Sequence, residues 1–168
     1  TARAREMLTE AVDALRPDPD GDTVAALREL ALVEVFDGTA SADQLADEAF
    51  SLGQALDVPD QVLADLCTTR ALSYQNSNQN THAIALYQYA VQLAERAGDR
   101  RGQAMGLSNL ASLLLASDPA AAGEAARIAY ELLRHIGAHG FMPVALSNGG
   151  WARIILGEAE VEIAKLFD

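Results

Sequence analysis

The sequence predicts an all-α protein built from helical pairs repeated along the chain, and three observations predict it. Ala and Leu dominate over Val, Ile, Thr and Tyr, and aromatic residues make up only 5% of the 168 residues, a balance that suits helices rather than sheets. Apolar residues recur at three- and four-residue spacing, with most Gly and Pro at the joints between such stretches. The third observation is periodicity. Small residues that follow an apolar or mixed pair stand at Ala31, Ala71, Ala111 and Gly150, at intervals of 40, 40 and 39 positions. A second series with i, i+4, i+7 spacing runs Ala4-Leu8-Ala11, Ala42-Ala46-Ala49, Ala83-Tyr87-Ala90 and Ala122-Ala126-Ala129. The tripeptide Leu-Ser-Asn, which occurs at 107–109 and again at 146–148, falls in the same register.

Taken in order, the elements are justified as follows. Residues 2–16 form an amphipathic stretch. Helix 23–37 follows Gly21, with Asp22 placed to cap it, and helix 42–56 opens on Ser41 and Gln44 in the manner of a capping box. Asp57, followed by Pro59 and Asp60, opens helix 60–77, and Thr81 opens 81–97. Gly98 lies where that helix needs a left-handed residue to stop, and Gly137 does the same for a later one. Helix 101–116 carries the first Leu-Ser-Asn. Asp118 before Pro119 joins a cap to the residue favoured in a first turn, opening 119–136. Helices 141–156 and 158–167 close the chain. These nine make a leading half-repeat (1–20) and four repeats (21–57, 58–98, 99–137 and 138–168) within a single domain, 1–168. A pair of this size buries one face poorly alone, so neighbouring pairs are expected to stack. The chain starts at Thr1 and enters directly into a helical pattern, which gives the expectation of a fragment of a longer polypeptide.

The stretch from Cys67 to Ala90 resembles a tetratricopeptide repeat, with Ala71 and Tyr74 in the small and aromatic places and Ala83, Tyr87 and Ala90 following at the family's spacing. Cys67 and Arg70 depart from the usual bulky and Leu residues, the terminal Pro is missing, and the period is 40 rather than 34. The longer period and the linker from Ala94 to Leu114 resemble the repeats of bacterial, especially actinobacterial, multidomain transcriptional and signalling regulators. The resemblance implies a right-handed α-α superhelix that binds a protein or peptide along the face lined by the first helix of each pair. It also implies effector domains elsewhere in the polypeptide, such as an ATPase, a nucleotide cyclase or a DNA-binding domain.

Carried over by register, the inward positions are Arg28, Glu29, Leu32 and Val35; Thr68, Thr69, Leu72 and Gln75; Ser108, Asn109, Ser112 and Leu115; Ser147, Asn148, Trp151 and Ile154. The candidate groove residues among them are Thr69, Gln75, Ser108, Asn109, Ser112, Ser147, Asn148 and Trp151. An asparagine offers a donor and an acceptor that match the peptide unit of an extended ligand. The alternative is that Asn109 and Asn148 bond a neighbouring helix and hold the stack. Trp151, the sole tryptophan, is either a binding anchor or a core or capping side chain. Gly149-Gly150 inside a helix costs about 1 kcal/mol each relative to Ala, which predicts close packing against the following helix.

Other chemistries find little support in the residues. A formal charge of −12 opposes a phosphate-backbone partner, and the one basic knot, Arg96, Arg100 and Arg101, contains Glu95 and Asp99. No apolar run approaches the ~18 residues that cross a bilayer. One cysteine, Cys67, fits a reducing compartment, so the cytoplasm is expected. His135 and His139 straddle a predicted helix end with no Cys or carboxylate beside them in a metal-binding pattern. Glycines 98, 102 and 106 follow no strand, which voids a phosphate-loop reading. Acidic pairs such as Glu158 with Glu160 and Glu162 read as a solvated helix face. The expectation is a binding scaffold with no catalytic residue, cofactor, metal, nucleic-acid or membrane partner. The alternative is a spacer that self-associates as a homodimer through its repeat ends.

Overall fold

The computed structural model describes residues 2–158. They form eight α-helices: α1 (Ala2–Leu15), α2 (Gly21–Asp37), α3 (Ala42–Ala55), α4 (Asp60–Asn76), α5 (Asn80–Arg96), α6 (Arg100–Leu114), α7 (Pro119–His135) and α8 (Met142–Ile155). A 3₁₀ turn, His139–Phe141, precedes α8, and no strand occurs among the described residues. The helix expected at 158–167 lies outside them after Glu158. The chain forms two compact units, Thr1–Leu93 and Ala94–Asp168, divided within α5.

In the first unit α1 packs on α2, α2 on α3, α3 on α4, and α2 also meets α4. The core between them is made by Val12, Val24, Leu27, Ala31, Ala46, Ala49, Leu66, Cys67 and Ala71. Small residues let the helices approach closely: a Cβ on Gly53 of α3 would lie 2.5 Å from Leu66 Cδ1 of α4. Larger side chains fill what remains, with Tyr87 and Leu93 of α5 fully buried. Burying a side chain such as Leu27 contributes about 1.5–3 kcal/mol. In the second unit α6 packs on α7, α7 on α8, and α8 returns to α6. Its core is Ala104, Leu107, Leu110, Ala111, Ala122, Ala126, Ala129, Leu133, Ala145 and Ala152. Each unit thus contains a helix, a returning helix, and a third that touches both. Ala31, Ala71 and Ala111, the first three members of the small-residue series, are all 0% exposed.

Side-chain bonds between alternate helices recur with the same period. Asn76 Nδ2 of α4 donates to the Val35 carbonyl of α2 at 2.7 Å, across 41 positions. Asn148 Nδ2 of α8 donates to the Ser108 carbonyl of α6 at 2.9 Å, across 40. Each amide reaches a backbone acceptor on the helix one repeat earlier. A second set ties α1, α2 and α3 together. Arg5 Nε donates to the buried Glu34 carboxylate at 2.6 Å, and Thr39 and Ser41 donate their hydroxyls to the same carboxylate. The Thr39 bond, then Arg5, holds the Glu34 carboxyl below its ordinary value.

Several helix starts differ from the sequence reading. The cap of α2 is Asp20, two residues before Asp22: its carboxylate accepts from the Asp22 and Thr23 amides while the Thr23 hydroxyl oxygen accepts from the Asp20 amide. A Thr at the third helical position therefore does what a Glu or Gln does in the usual capping box. Ser41 makes no cap bond, because its hydroxyl turns to Glu34 and Thr39. Asp57 sits in the left-handed region at φ 49, in the turn that ends α3, and Pro59 is the residue that precedes α4. Asp118 caps α7 through the Ala121 amide with Pro119 in the first turn. Gly98 and Gly137 adopt φ 69 and φ 71 after α5 and α7.

Candidate functional site

The second unit carries the most open surface chemistry, and α8 is the reason. Its sequence, MPVALSNGGWARII, is apolar apart from Ser147, Asn148 and Arg153. Only one stripe of it is consumed by packing: Ala145, Asn148 and Ala152 are buried against the rest of the unit. A helix that is apolar nearly all round but packed on one side must expose apolar surface.

That exposed surface falls into two parts. On the side toward α7 lies a groove of about 550 Å³, whose floor includes Gly123 and Ala126 of α7 with Gly149 and Gly150 of α8. The helices are close here, with a Gly123 Cβ placed 3.3 Å from Ala152 Cβ and a Gly149 Cβ 3.7 Å from Ala126 Cβ. Arg127 and Glu124, paired at 2.8 Å, stand at its rim. This pairing lowers the Glu124 pKa and raises that of Arg127. The other part, by helical spacing, is the row Val144, Ser147, Trp151, Ile154 and Ile155. Trp151 is 55% exposed and the aliphatic members are each about half exposed.

The residues selected from sequence divide between bonded and open. Thr69 is buried and donates its hydroxyl to the Asp65 carbonyl at 3.0 Å. Gln75 Oε1 accepts from the Tyr87 hydroxyl at 3.2 Å. Ser108 donates to the Ala104 carbonyl at 2.9 Å and offers its own carbonyl to Asn148, which is 8% exposed. Ser108 and Asn148 are therefore brought together, by a bond across the stack. Asn109 is half-buried, while Ser112, Ser147 and Trp151 are exposed. The two Leu-Ser-Asn copies thus differ: the second asparagine spans to the preceding repeat, and the first has its side chain partly open.

Gly149-Gly150 also differs from the sequence expectation. A Gly149 Cβ would make an ordinary contact with the preceding helix α7, 3.7 Å from Ala126 Cβ, whereas among the described residues nothing lies within 4 Å of where a Gly150 Cβ would be. The helix expected to follow lies outside the described residues. Val144, Ile155 and the α7 wall of the groove were not selected from sequence; the two-faced apolarity of α8 was the available signal.

A smaller, polar pocket of about 300 Å³ lies in the first unit, lined by Gly38, Thr39, Asp43, Ser73, Asn76 and Ser77 among others. The Ser73 and Ser77 hydroxyls both donate to Asp43. Cys67 is fully buried, which pushes its thiol up to about 12 and leaves it protonated at neutral pH. His135 Nδ1 lies 2.6 Å from the Glu131 carbonyl and His139 Nδ1 3.4 Å from Met142 Sδ. Among the described residues no group of three or more His, Cys, Asp or Glu is placed to hold a metal ion, and no helix is long and apolar enough to cross a membrane. Compared with protein-family models and with curated proteins, the sequence matches none.

Proposed function

We propose that the chain is a protein- or peptide-binding scaffold, a tetratricopeptide-like right-handed superhelix serving a larger cytoplasmic bacterial signalling or transcription-regulatory protein. It does no chemistry of its own; its role is to present a preformed surface. The observation that carries this reading is the exposed row on α8 centred on Trp151. A half-exposed tryptophan among half-exposed aliphatic side chains offers an anchor whose burial rewards a partner. Ser147, one turn before Trp151, supplies a hydroxyl on the same face for a partner's backbone.

The test is intrinsic fluorescence of Trp151 against a peptide library. Binding is expected to shift its emission to the blue, and Trp151→Ala is expected to remove binding without loss of helicity. A library that leaves the emission unchanged, or binding that survives Trp151→Ala, would overturn the reading. The same apolar row also suits a second reading, a self-associating spacer. Sedimentation velocity separates the two: the scaffold reading expects a monomer at micromolar concentration, whereas a dimer dissolved by Trp151→Ala favours the spacer.

A further inference from the structure

The polar pocket of about 300 Å³ in the first unit offers mainly hydrogen-bond acceptors. Two helices end on it. Gly38 and Thr39 follow the last residue of α2, while Asn76 and Ser77 stand at the end of α4. A helix C-terminus carries a partial negative charge of about half an electron, so both ends favour a cation. The carboxylate that lines the pocket with them is Asp43, in the first turn of α3. The positive end of α3 offsets part of that field, but no Lys, Arg or His among the described residues lines the pocket.

Asp43 differs in its partners from the other carboxylates of its helix. Asp47 pairs with Arg70 and Glu48 with Arg16. Asp43 receives hydroxyls instead: Ser73 donates to Oδ1, and Ser77 to Oδ2 at 3.0 Å. Among the described residues it has no cationic partner. Ser73 is 2% exposed, so its bond is shielded from water and fixes the carboxylate. Asn76 is fixed as well, because its Nδ2 donates to the Val35 carbonyl at 2.7 Å. Its Oδ1 is thereby held as a further acceptor, with no donor bonded to it among the described residues.

Fixed acceptors without a matching donor define the ligand they suit. A carboxylate, an amide oxygen and two helix ends call for a cation that donates. A guanidinium binds best when its planar fork meets both carboxylate oxygens, and here each oxygen already takes a serine hydroxyl. An ammonium is a compact charge with three donors and no acceptor. We infer that this pocket binds a primary ammonium group, held by Asp43 and Asn76 Oδ1. The site uses no residue of the second unit and does not depend on the role of Trp151.

The full chain, isotope-labelled for nuclear magnetic resonance, tests this by titration with n-butylamine hydrochloride at neutral pH. Saturable shifts are expected, confined to the amides of residues 38–43 and 73–77 and to the Asn76 side-chain amide. Tetramethylammonium, a charge without an N–H donor, is expected to leave those signals unmoved. Asp43→Asn keeps an acceptor for the serines but removes the charge, and is expected to weaken amine binding at least ~10-fold with helicity retained. Ser77→Lys leaves Asp43 in place and tethers an ammonium at the rim, so it is expected to block added amine. Comparing a lysine capped at both ends with cadaverine identifies the source of the ammonium. Tighter binding of the capped lysine assigns the pocket to a partner's lysine side chain, and tighter binding of cadaverine to a free small amine. Shifts scattered over the acidic surface, equal shifts from tetramethylammonium, or butylguanidine binding tighter than butylamine would each overturn the inference. So would amine binding that survives Asp43→Asn or Ser77→Lys.

Discussion

At the scale of single residues, the two asparagines of the repeated tripeptide have unequal tasks. Asn148 is buried and donates to a backbone carbonyl one repeat away; its loss removes that bond between helices and opens a small void. Asn148→Ala is therefore expected to cost about 1–3 kcal/mol in urea unfolding. Asn109→Ala, at a half-buried site, is expected to stay within about 0.5 kcal/mol. Equal losses would mean that the Asn148 bond adds nothing specific. Glu34 gives the pH-dependent counterpart. Its carboxylate is bonded by Thr39 and Arg5 and its pKa lies below the ordinary 4.5. A depressed folded-state pKa means the stabilisation is fully present above 4.5 and disappears as pH falls through the folded value. Glu34→Gln is expected to destabilise the chain by about 1–3 kcal/mol at neutral pH, and the difference from the unaltered chain should shrink below pH 4.5. A difference independent of pH would show that the charge is not what matters.

At the scale of elements, the helix ends explain which parts of the fold were legible. Glycine after a periodic stretch was readable because it enters the left-handed region at the lowest cost, whereas the Asp57 and Asn78 that enter it here at φ 49 and φ 57 are common residues in many other settings. Gly137 at φ 71 follows that rule. Gly137→Ala is expected to cost about 1–2 kcal/mol, whereas Gly140→Ala, with nothing near its Cβ and no positive φ, should leave the melting temperature nearly unchanged. Equal effects would remove the conformational explanation. The helix starts were less legible because an acidic or hydroxyl side chain near a start has several acceptors and donors to choose from. Ser41 was drawn away by Glu34, and Asp20 rather than Asp22 found the free amides. The site was legible to the same degree and for the same reason. Register placed the candidate groove on α4, α6 and α8, with Trp151 as the sole tryptophan among its positions, but it does not reveal which polar side chain is consumed by a neighbour 40 residues away. Asn148 was consumed in this way by the Ser108 carbonyl, and the Ser108 hydroxyl by its own helix at Ala104, while the α7 wall of the groove depends on packing that no local pattern records.

At the scale of the whole molecule, charge sets the remaining behaviour. The sequence has 24 acidic and 12 basic side chains, so pairing every cation with one acid would still leave 24 − 12 = 12 carboxylates over. Several ion pairs among the described residues are exposed on both sides, such as Arg127–Glu124 and Arg134–Glu131, and exposed pairs contribute about 0–1 kcal/mol each. Salt weakens those pairs and the net repulsion together, but the repulsion acts over every excess carboxylate at separations the pairs do not share. At about 0.1 M salt the screening length is about 10 Å, long enough to spare contacts and short enough to cut the repulsion. The melting temperature is accordingly expected to rise as sodium chloride is raised from about 0.01 to about 0.15 M. A fall over that range would show that the ion pairs outweigh the repulsion. The same field would steer a basic peptide toward the chain, so in the proposed scaffold association with a Lys/Arg-bearing ligand should be faster at low salt while dissociation, which that proposal assigns to apolar contacts at Trp151, changes little.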